Sequence, residues 1–221
     1  LIVNPDNPSG NFIPRADLLR LCAWARHCGT RLVIDESFVD FAEAGVQATL
    51  LHDSILRENP HLCVVKSISK SYGVPGLRLG ILASADVELI GCLRKNVAIW
   101  NINSFAEFYM QIYGKYGNDY ERACDLFREE RALFARELEN VPFLRVIPSA
   151  ANYFLCELSG GITSYDLALR LLTDHNILIK DCSRKKGFPS DRQYVRIAIR
   201  NRADNRCLTE ALIKIAENSN L

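Results

Sequence analysis

Four short apolar runs punctuate the first half of the chain: Leu1 to Val3, Arg31 to Ile34, Leu62 to Val65 and Leu79 to Ala83. Each has the length of a strand, is rich in Val, Ile and Leu, and lacks polar alternation. That is the pattern of strands buried on both faces of a sheet covered by helices. Between the first two runs the apolar spacing changes to that of a helix. Leu18, Leu21, Cys22 and Ala25 form one stripe, Pro14 suits the first helical turn, and Gly29 suits the stop. A strand, a helix and a strand in that order predict a right-handed crossover and mainly parallel pairing. The pattern leaves open whether one strand runs antiparallel.

A helix is predicted over 86–96, and a long helical stretch over 104–139 with an interruption near Gly114 and Gly117. After Pro142 the pattern changes. Strand-like runs at 144–147, 153–157, 177–180 and 194–199 alternate with helices at 164–175 and 203–216. The expected fold class is therefore α/β: a mainly parallel sheet flanked by helices, followed by a smaller C-terminal α+β domain. The expected division is 1–105 as part of a large domain, 106–140 as a connecting helix and 141–221 as the small domain. There is no internal repeat and no low-complexity segment.

Composition narrows the function classes. With 221 residues, 48% hydrophobic and 24% charged, the chain can bury a proper core. A formal net charge of +1 gives no electrostatic case for nucleic acid or an anionic membrane surface. No apolar run is long enough to cross a bilayer, and no secretory signal is visible. The eight cysteines include no C-x-x-C pair and the four histidines fall at no ligand-like spacing, so neither a disulfide scaffold nor a metal site is expected. Reduced core thiols in a cytoplasmic protein are the expectation.

Three segments carry candidate chemistry, and each follows a predicted strand. In an open parallel sheet, ligands sit outside the carboxyl ends of the strands, so the three are expected to converge. The first is Asn4-Pro5-Asp6-Asn7-Pro8-Ser9-Gly10, a rigid turn built on two Asn-Pro steps and a glycine. An ordinary loop from strand to helix accounts for it equally well. The second is Asp35-Glu36-Ser37-Phe38, where an acid directly after an apolar strand needs a partner because an unpaired buried charge is costly. A helix cap or a buried ion pair would also supply one. The third runs from Ser67 through Ile68, Ser69, Lys70, Ser71, Tyr72 and Gly73 to Arg78 and Gly80. Hydroxyls, loop amides and a guanidinium can cradle a phosphate, and a lysine amine can form a Schiff base with a carbonyl. The P-loop pattern is absent. A surface loop with ordinary charges is the plainer reading.

Taken together, the three segments resemble the pyridoxal-phosphate (PLP) enzymes of fold type I, in the class I/II aminotransferase group. The opening heptad is similar to that group's N-P-x-N-P-T-G motif, with Ser9 at the threonine position. Asp-Glu after a strand, then Ser-x-Ser-Lys, then an arginine eight residues on follow in the family order. Trp100-Asn101-Ile102-Asn103 and Ala151-Asn152-Tyr153-Phe154 resemble the histidinol-phosphate aminotransferase branch. Ile177 to Ser183 and Val195 to Arg200 resemble the threonine-phosphate decarboxylases. The resemblance implies PLP as cofactor and Lys70 as its covalent anchor and the proton-moving base. It implies Asp35 against the pyridine nitrogen, Asn7 on the ring hydroxyl oxygen, and Ser67, Ser69 and Arg78 on the phosphate. Arg196 would clamp the substrate carboxylate, with Asn152 helping to orient it. Arg200, on the same strand face by alternation, is a candidate for a second substrate anion or a solvated basic position.

Phe38 stands where the family often has a tyrosine. The relatives also carry a substantial segment ahead of the Asn-Pro motif, so a piece of a longer polypeptide, or a chain completed by partners, is expected. The activity implied is an aminotransferase moving an amino group between an amino acid and a keto acid. A decarboxylase of the threonine-phosphate type and a non-catalytic module of the same fold are the alternatives. A small-molecule substrate and a homodimer are the implied partners.

Overall fold

The computed structural model describes residues 1–43 and 45–219. These divide into two compact units. The first comprises Leu1–Asp6 and Phe12–Asp125, and the second comprises Asn7–Asn11 and the residues from Leu126 onward.

The first unit contains β1 (Ile2–Val3), α1 (Arg15–His27), β2 (Leu32–Asp35), α2 (Asp53–Glu58), β3 (Leu62–Ser67), α3 (Ile68–Ser71), β4 (Gly80–Ala83), α4 (Val87–Asn96), α5 (Ser104–Tyr113) and the start of α6 (Gly117–Leu138). Its sheet runs in the order β1-β2-β3-β4. The first three strands are parallel and β4 is antiparallel to β3, with Ser67 opposite Gly80. A Cβ at Gly80 would lie 3.2 Å from the Lys66 carbonyl oxygen, a tight contact at this strand pairing.

The stripe on α1 behaves as its spacing dictates. Leu18, Cys22 and Ala25 are buried against Leu32, Ile34, Leu62 and Val64, with Leu21 at the margin. Gly29, with φ of +61°, turns the chain out of α1, and the Thr30 amide then donates to the Ala25 carbonyl at 2.8 Å. The fourth apolar run departs from expectation. Among the described residues β4 pairs only with β3, at the sheet edge, and Ile81 and Leu82 remain 42% and 41% exposed. An apolar run reports strand tendency, but it does not count neighbours.

Glu36 is fully buried in this unit. Its carboxylate accepts from the Leu50 amide at 2.7 Å and from the Thr49 hydroxyl. Loss of solvent pushes its carboxyl above the usual glutamate range, against the pull of those two hydrogen bonds and of Lys66. A folded state that holds the proton more tightly than the unfolded chain gains stability at low pH. That gain is lost as pH rises through the folded value. Glu36→Gln removes the charge, keeps an acceptor for the Leu50 amide and turns the Thr49 contact around, so that the new amide donates to the Thr49 hydroxyl oxygen. Its unfolding temperature is expected to rise relative to the parent by a few degrees as pH is raised from below the glutamate range to neutrality. Thermal unfolding of both chains across that range checks it.

The second unit contains the end of α6, then β5 (Leu144–Val146), β6 (Tyr153–Leu158), α7 (Ser164–His175), β7 (Lys180–Asp181), β8 (Gln193–Ala198) and α8 (Arg202–Ser219). Its sheet is antiparallel throughout, in the order β5-β6-β8-β7. Phe134 and Leu138 of α6, Leu167 and Leu171 of α7, and Leu212 of α8 close its core over Cys156, Val195 and Ile197. The expected strand at 177–180 shrinks to Lys180 and Asp181. Asn176 caps α7 in the left-handed conformation, and the Ile177 amide donates back to the Leu171 carbonyl at 2.9 Å. The helix end thus takes the backbone group that a strand would need.

Candidate functional site

The opening heptad splits into a structural half and an exposed half. Asn4 is fully buried, and its amide group makes a two-way bond with the Ile13 backbone. Asn4 Nδ2 donates to the Ile13 carbonyl at 3.0 Å, and the Ile13 amide donates to Asn4 Oδ1 at 2.7 Å. The Asn4 amide also donates to the Asp35 carbonyl at 2.8 Å, extending the pairing of β1 with β2. Asn7 belongs to the second unit. Its Oδ1 accepts from Arg196 Nη1 at 2.7 Å, and its carbonyl accepts from Lys185 Nζ at 3.3 Å.

In the first unit, Asp35 ends β2 and Lys70 lies on α3, just beyond β3. Ser37 ties the two strand ends together. Its hydroxyl donates to Asp35 Oδ1 at 2.5 Å and accepts from the Ser67 amide at 3.0 Å, while the Ser37 amide also donates to Asp35 Oδ1 at 2.9 Å. Asp35 Oδ1 is thereby fixed, and Oδ2 has no partner among the described residues. A second tie lies alongside. Asp40 accepts from Lys66 Nζ at 2.6 Å and from the Ser71 hydroxyl at 2.6 Å.

Lys70 is exposed and forms no salt bridge among the described residues. Its ammonium lies 5.9 Å from the centre of the Phe38 ring. Phe38 therefore offers an aromatic face where a tyrosine would add a hydroxyl. Arg78 adopts the left-handed conformation with φ of 54°. It donates to the Pro75 carbonyl at 3.3 Å and has no carboxylate partner among the described residues. The Ser67 hydroxyl makes no hydrogen bond among the described residues. Ser69 is buried and its hydroxyl points at the Leu79 carbonyl, 3.4 Å away, so reaching a ligand requires it to leave that carbonyl.

In the second unit, Arg196 of β8 lies over the Tyr153 ring, 4.9 Å from its centre, with Asn7 at its tip. Asn152 stands next to Tyr153 and its carbonyl accepts from the Ile199 amide at 3.0 Å. Arg196 also opens on a cleft of about 710 Å³, lined by Lys180, Asp181 and Arg184 together with apolar residues that include Leu169 and Leu178. Arg200 pairs through Nε with Asp204 at 2.6 Å, an exposed surface contact. Ser37, Asp40, Lys66 and Tyr153 are the contributors that the sequence reading did not single out. A charge inside an apolar run, as in Phe38-Val39-Asp40-Phe41 and Val64-Val65-Lys66, is the signal that could have flagged two of them.

The donor set suits a phosphorylated aldehyde on an aromatic heterocycle. An amine without an acid partner, a carboxylate with one free oxygen, and a serine hydroxyl and guanidinium clear of acids lie at neighbouring strand ends of one sheet. Among the described residues no group of three His, Cys, Asp or Glu side chains is placed to hold a metal ion.

Comparison with known proteins gives the same class. Residues 1–212 match the aminotransferase class I and II family, to which the chain belongs. The family is one of PLP enzymes, and the fold is that of fold type I. The chain is 38% identical, over 97% of its length, to the CMP-5'-(3-aminopropyl)phosphonate synthase of Streptomyces rubellomurinus, covering 33% of that protein. It is 34% identical, over 96% of its length, to the threonine-phosphate decarboxylase of Salmonella typhimurium, covering 56% of it. The crystal structure of the histidinol-phosphate aminotransferase from Clostridium acetobutylicum superposes with a TM-score of 0.88. That match is 27% identical and covers 98% of this chain and 64% of the other. The chain thus spans a third to just over half the length of these curated relatives.

Proposed function

We propose that the polypeptide carrying this chain is a PLP enzyme that acts at the α-carbon of an amino acid bearing a second anionic group. The observation that carries this reading is the Ser37 hydroxyl, which ties Asp35 to the Ser67 amide three residues before Lys70, a lysine with no salt bridge among the described residues. When bound, PLP supplies an electron sink for the bond broken at the α-carbon. Lys70 would hold the cofactor through its amine and would serve as the base for the proton at the α-carbon. Asp35, with its free oxygen, would keep a proton on the ring nitrogen. Ser67, Ser69 and Arg78 would bind the phosphate, and the family role of Asn7 would be to donate to the ring oxygen.

Arg196 clamps the substrate carboxylate with its planar fork, pre-set by Asn7 and the Tyr153 ring. Lys180 and Arg184, in the cleft beside Arg196, supply the charge for the second anion, while Arg200 is paired with Asp204 at the surface. Asn152 steadies the carboxylate end.

Two reactions fit these residues. Decarboxylation of a phosphorylated or phosphonate-bearing amino acid is the reading we favour, supported by the 34% identity to a threonine-phosphate decarboxylase and by the basic cleft. Amino transfer to a keto acid is the second reading, supported by the superposition on a histidinol-phosphate aminotransferase. Incubating the cofactor-loaded native polypeptide with O-phospho-threonine and 2-oxoglutarate separates them. The favoured reading predicts carbon dioxide release that does not need 2-oxoglutarate. Glutamate formation without carbon dioxide would decide for transfer.

A further inference from the structure

Two lysines lie four residues apart, and the structure gives them opposite fates. Lys70 is exposed and free of carboxylates, whereas the side chain of Lys66 is only 7% exposed and paired with Asp40, itself 15% exposed. Burying that pair is costly, and at this depth it is weak evidence for stability on its own. Asp40 does something more specific. One carboxylate oxygen takes the Lys66 ammonium from β3, and the other takes the Ser71 hydroxyl, next in sequence to Lys70. α3 is only one turn long and has no side-chain cap at its start, so it has little rigidity of its own. The Asp40 carboxylate spans it from the strand before Lys70 to the residue after. Tyr72 seals the other side: Lys66 Nζ lies 5.8 Å from the Tyr72 ring centre, and that ring stacks on Tyr120 at 4.2 Å and 2°. Burial pushes both phenols well above their ordinary range, so they add no competing charge in the working range.

We propose that Asp40, acting through Ser71 and neutralised by Lys66, is a positioning residue that sets where the Lys70 amine stands. It touches neither cofactor nor substrate. This inference rests on the reading of Lys70 as the cofactor-bearing lysine. Ser71 is the point of separation, because Ser71→Ala cuts the tie to α3 and leaves the Lys66–Asp40 pair intact. Displacement of a catalytic group by about 1 Å costs on the order of 100-fold in rate, so a loosened α3 is felt in turnover before it is felt in folding.

The test uses the cofactor-loaded native polypeptide and its Ser71→Ala, Ser71→Thr and Asp40→Asn forms. Three quantities are read: unfolding temperature, kcat and KM at saturating cofactor, and the pH at which the visible absorbance of the lysine-bound cofactor titrates. Ser71→Ala is expected to lower kcat about 10- to 100-fold with KM within about twofold, and to shift the spectroscopic titration. Its unfolding temperature should fall by no more than about 4 °C, the equivalent of one lost hydrogen bond. Ser71→Thr, which keeps the hydroxyl, should restore both kcat and the titration. Asp40→Asn should reproduce the spectral shift with a larger loss of stability. An Ser71→Ala form with the parent kcat and titration would overturn the proposal. So would a loss of activity that only follows the folded fraction, or one that threonine does not restore. A Lys70→Ala control in the same series keeps the two claims apart: if it still shows lysine-bound absorbance, the assignment of Lys70 fails, whatever Ser71 does.

Discussion

Replacing Lys70 with alanine is expected to lower turnover about 1,000- to 10,000-fold while leaving the fold intact. The rate loss follows from the two tasks assigned to one amine, holding the cofactor and moving a proton, the second alone being worth about 100- to 10,000-fold. The intact fold follows from the surroundings. Lys70 is exposed and forms no salt bridge among the described residues, so removing its side chain uncovers no buried charge and opens no cavity. The contrast is with Lys66→Ala, which would strand the Asp40 carboxylate and destabilise the first unit. Unfolding temperatures and steady-state rates of the two variants, taken side by side, check the assignment: one lysine serves activity and the other serves the structure.

The second large effect is at Gly10, which lies in the second unit with φ of +73°. A Cβ there would fall 1.9 Å from Ser149 Oγ, 2.6 Å from Ser149 Cβ and 3.0 Å from Ser149 Cα. The last of these is backbone and cannot swing aside. The Ala150 amide donates to the Gly10 carbonyl at 2.8 Å, so a shift at Gly10 is carried directly into the segment that leads to Asn152 and Tyr153. Gly10→Ala combines a left-handed backbone with overpacking, and a loss of about 2–4 kcal/mol is expected. Thermal unfolding measures it, together with KM for the amino-acid substrate. KM should rise, because Asn7, three residues away, is the partner of Arg196. Removing the obstacle in the double variant Gly10→Ala/Ser149→Gly should recover part of the stability, and that non-additivity is the mark of a direct clash.

The elements with regular periodicity were legible in the sequence. The stripe on α1, the break at Gly114, and strands where the runs 31–34, 62–65 and 153–157 placed them, now observed at 32–35, 62–67 and 153–158, follow from apolar spacing and glycine placement. What the pattern could not carry was pairing. The direction and shallow burial of β4 depend on how many neighbours it has, and the shortening of β7 depends on how α7 ends at Asn176. The candidate residues were legible as types at spacings: an acid at a strand end, a lysine between serines, an arginine after a glycine-rich turn. Their supports were not. Ser37 reads as an ordinary loop serine until its hydroxyl is seen between Asp35 and the Ser67 amide. Asp40 gains its meaning only when Lys66 and Ser71 come to either side of it. Such ties depend on tertiary geometry, which period and composition do not encode.

The most direct test of the account is to reduce the cofactor-loaded native polypeptide with borohydride, digest it and locate the modified residue by mass spectrometry. The account predicts one phosphopyridoxyl group, on the peptide containing Lys70 and absent from Lys66. A label on Lys66 or any other lysine, or no label on a folded and cofactor-saturated protein, would contradict it.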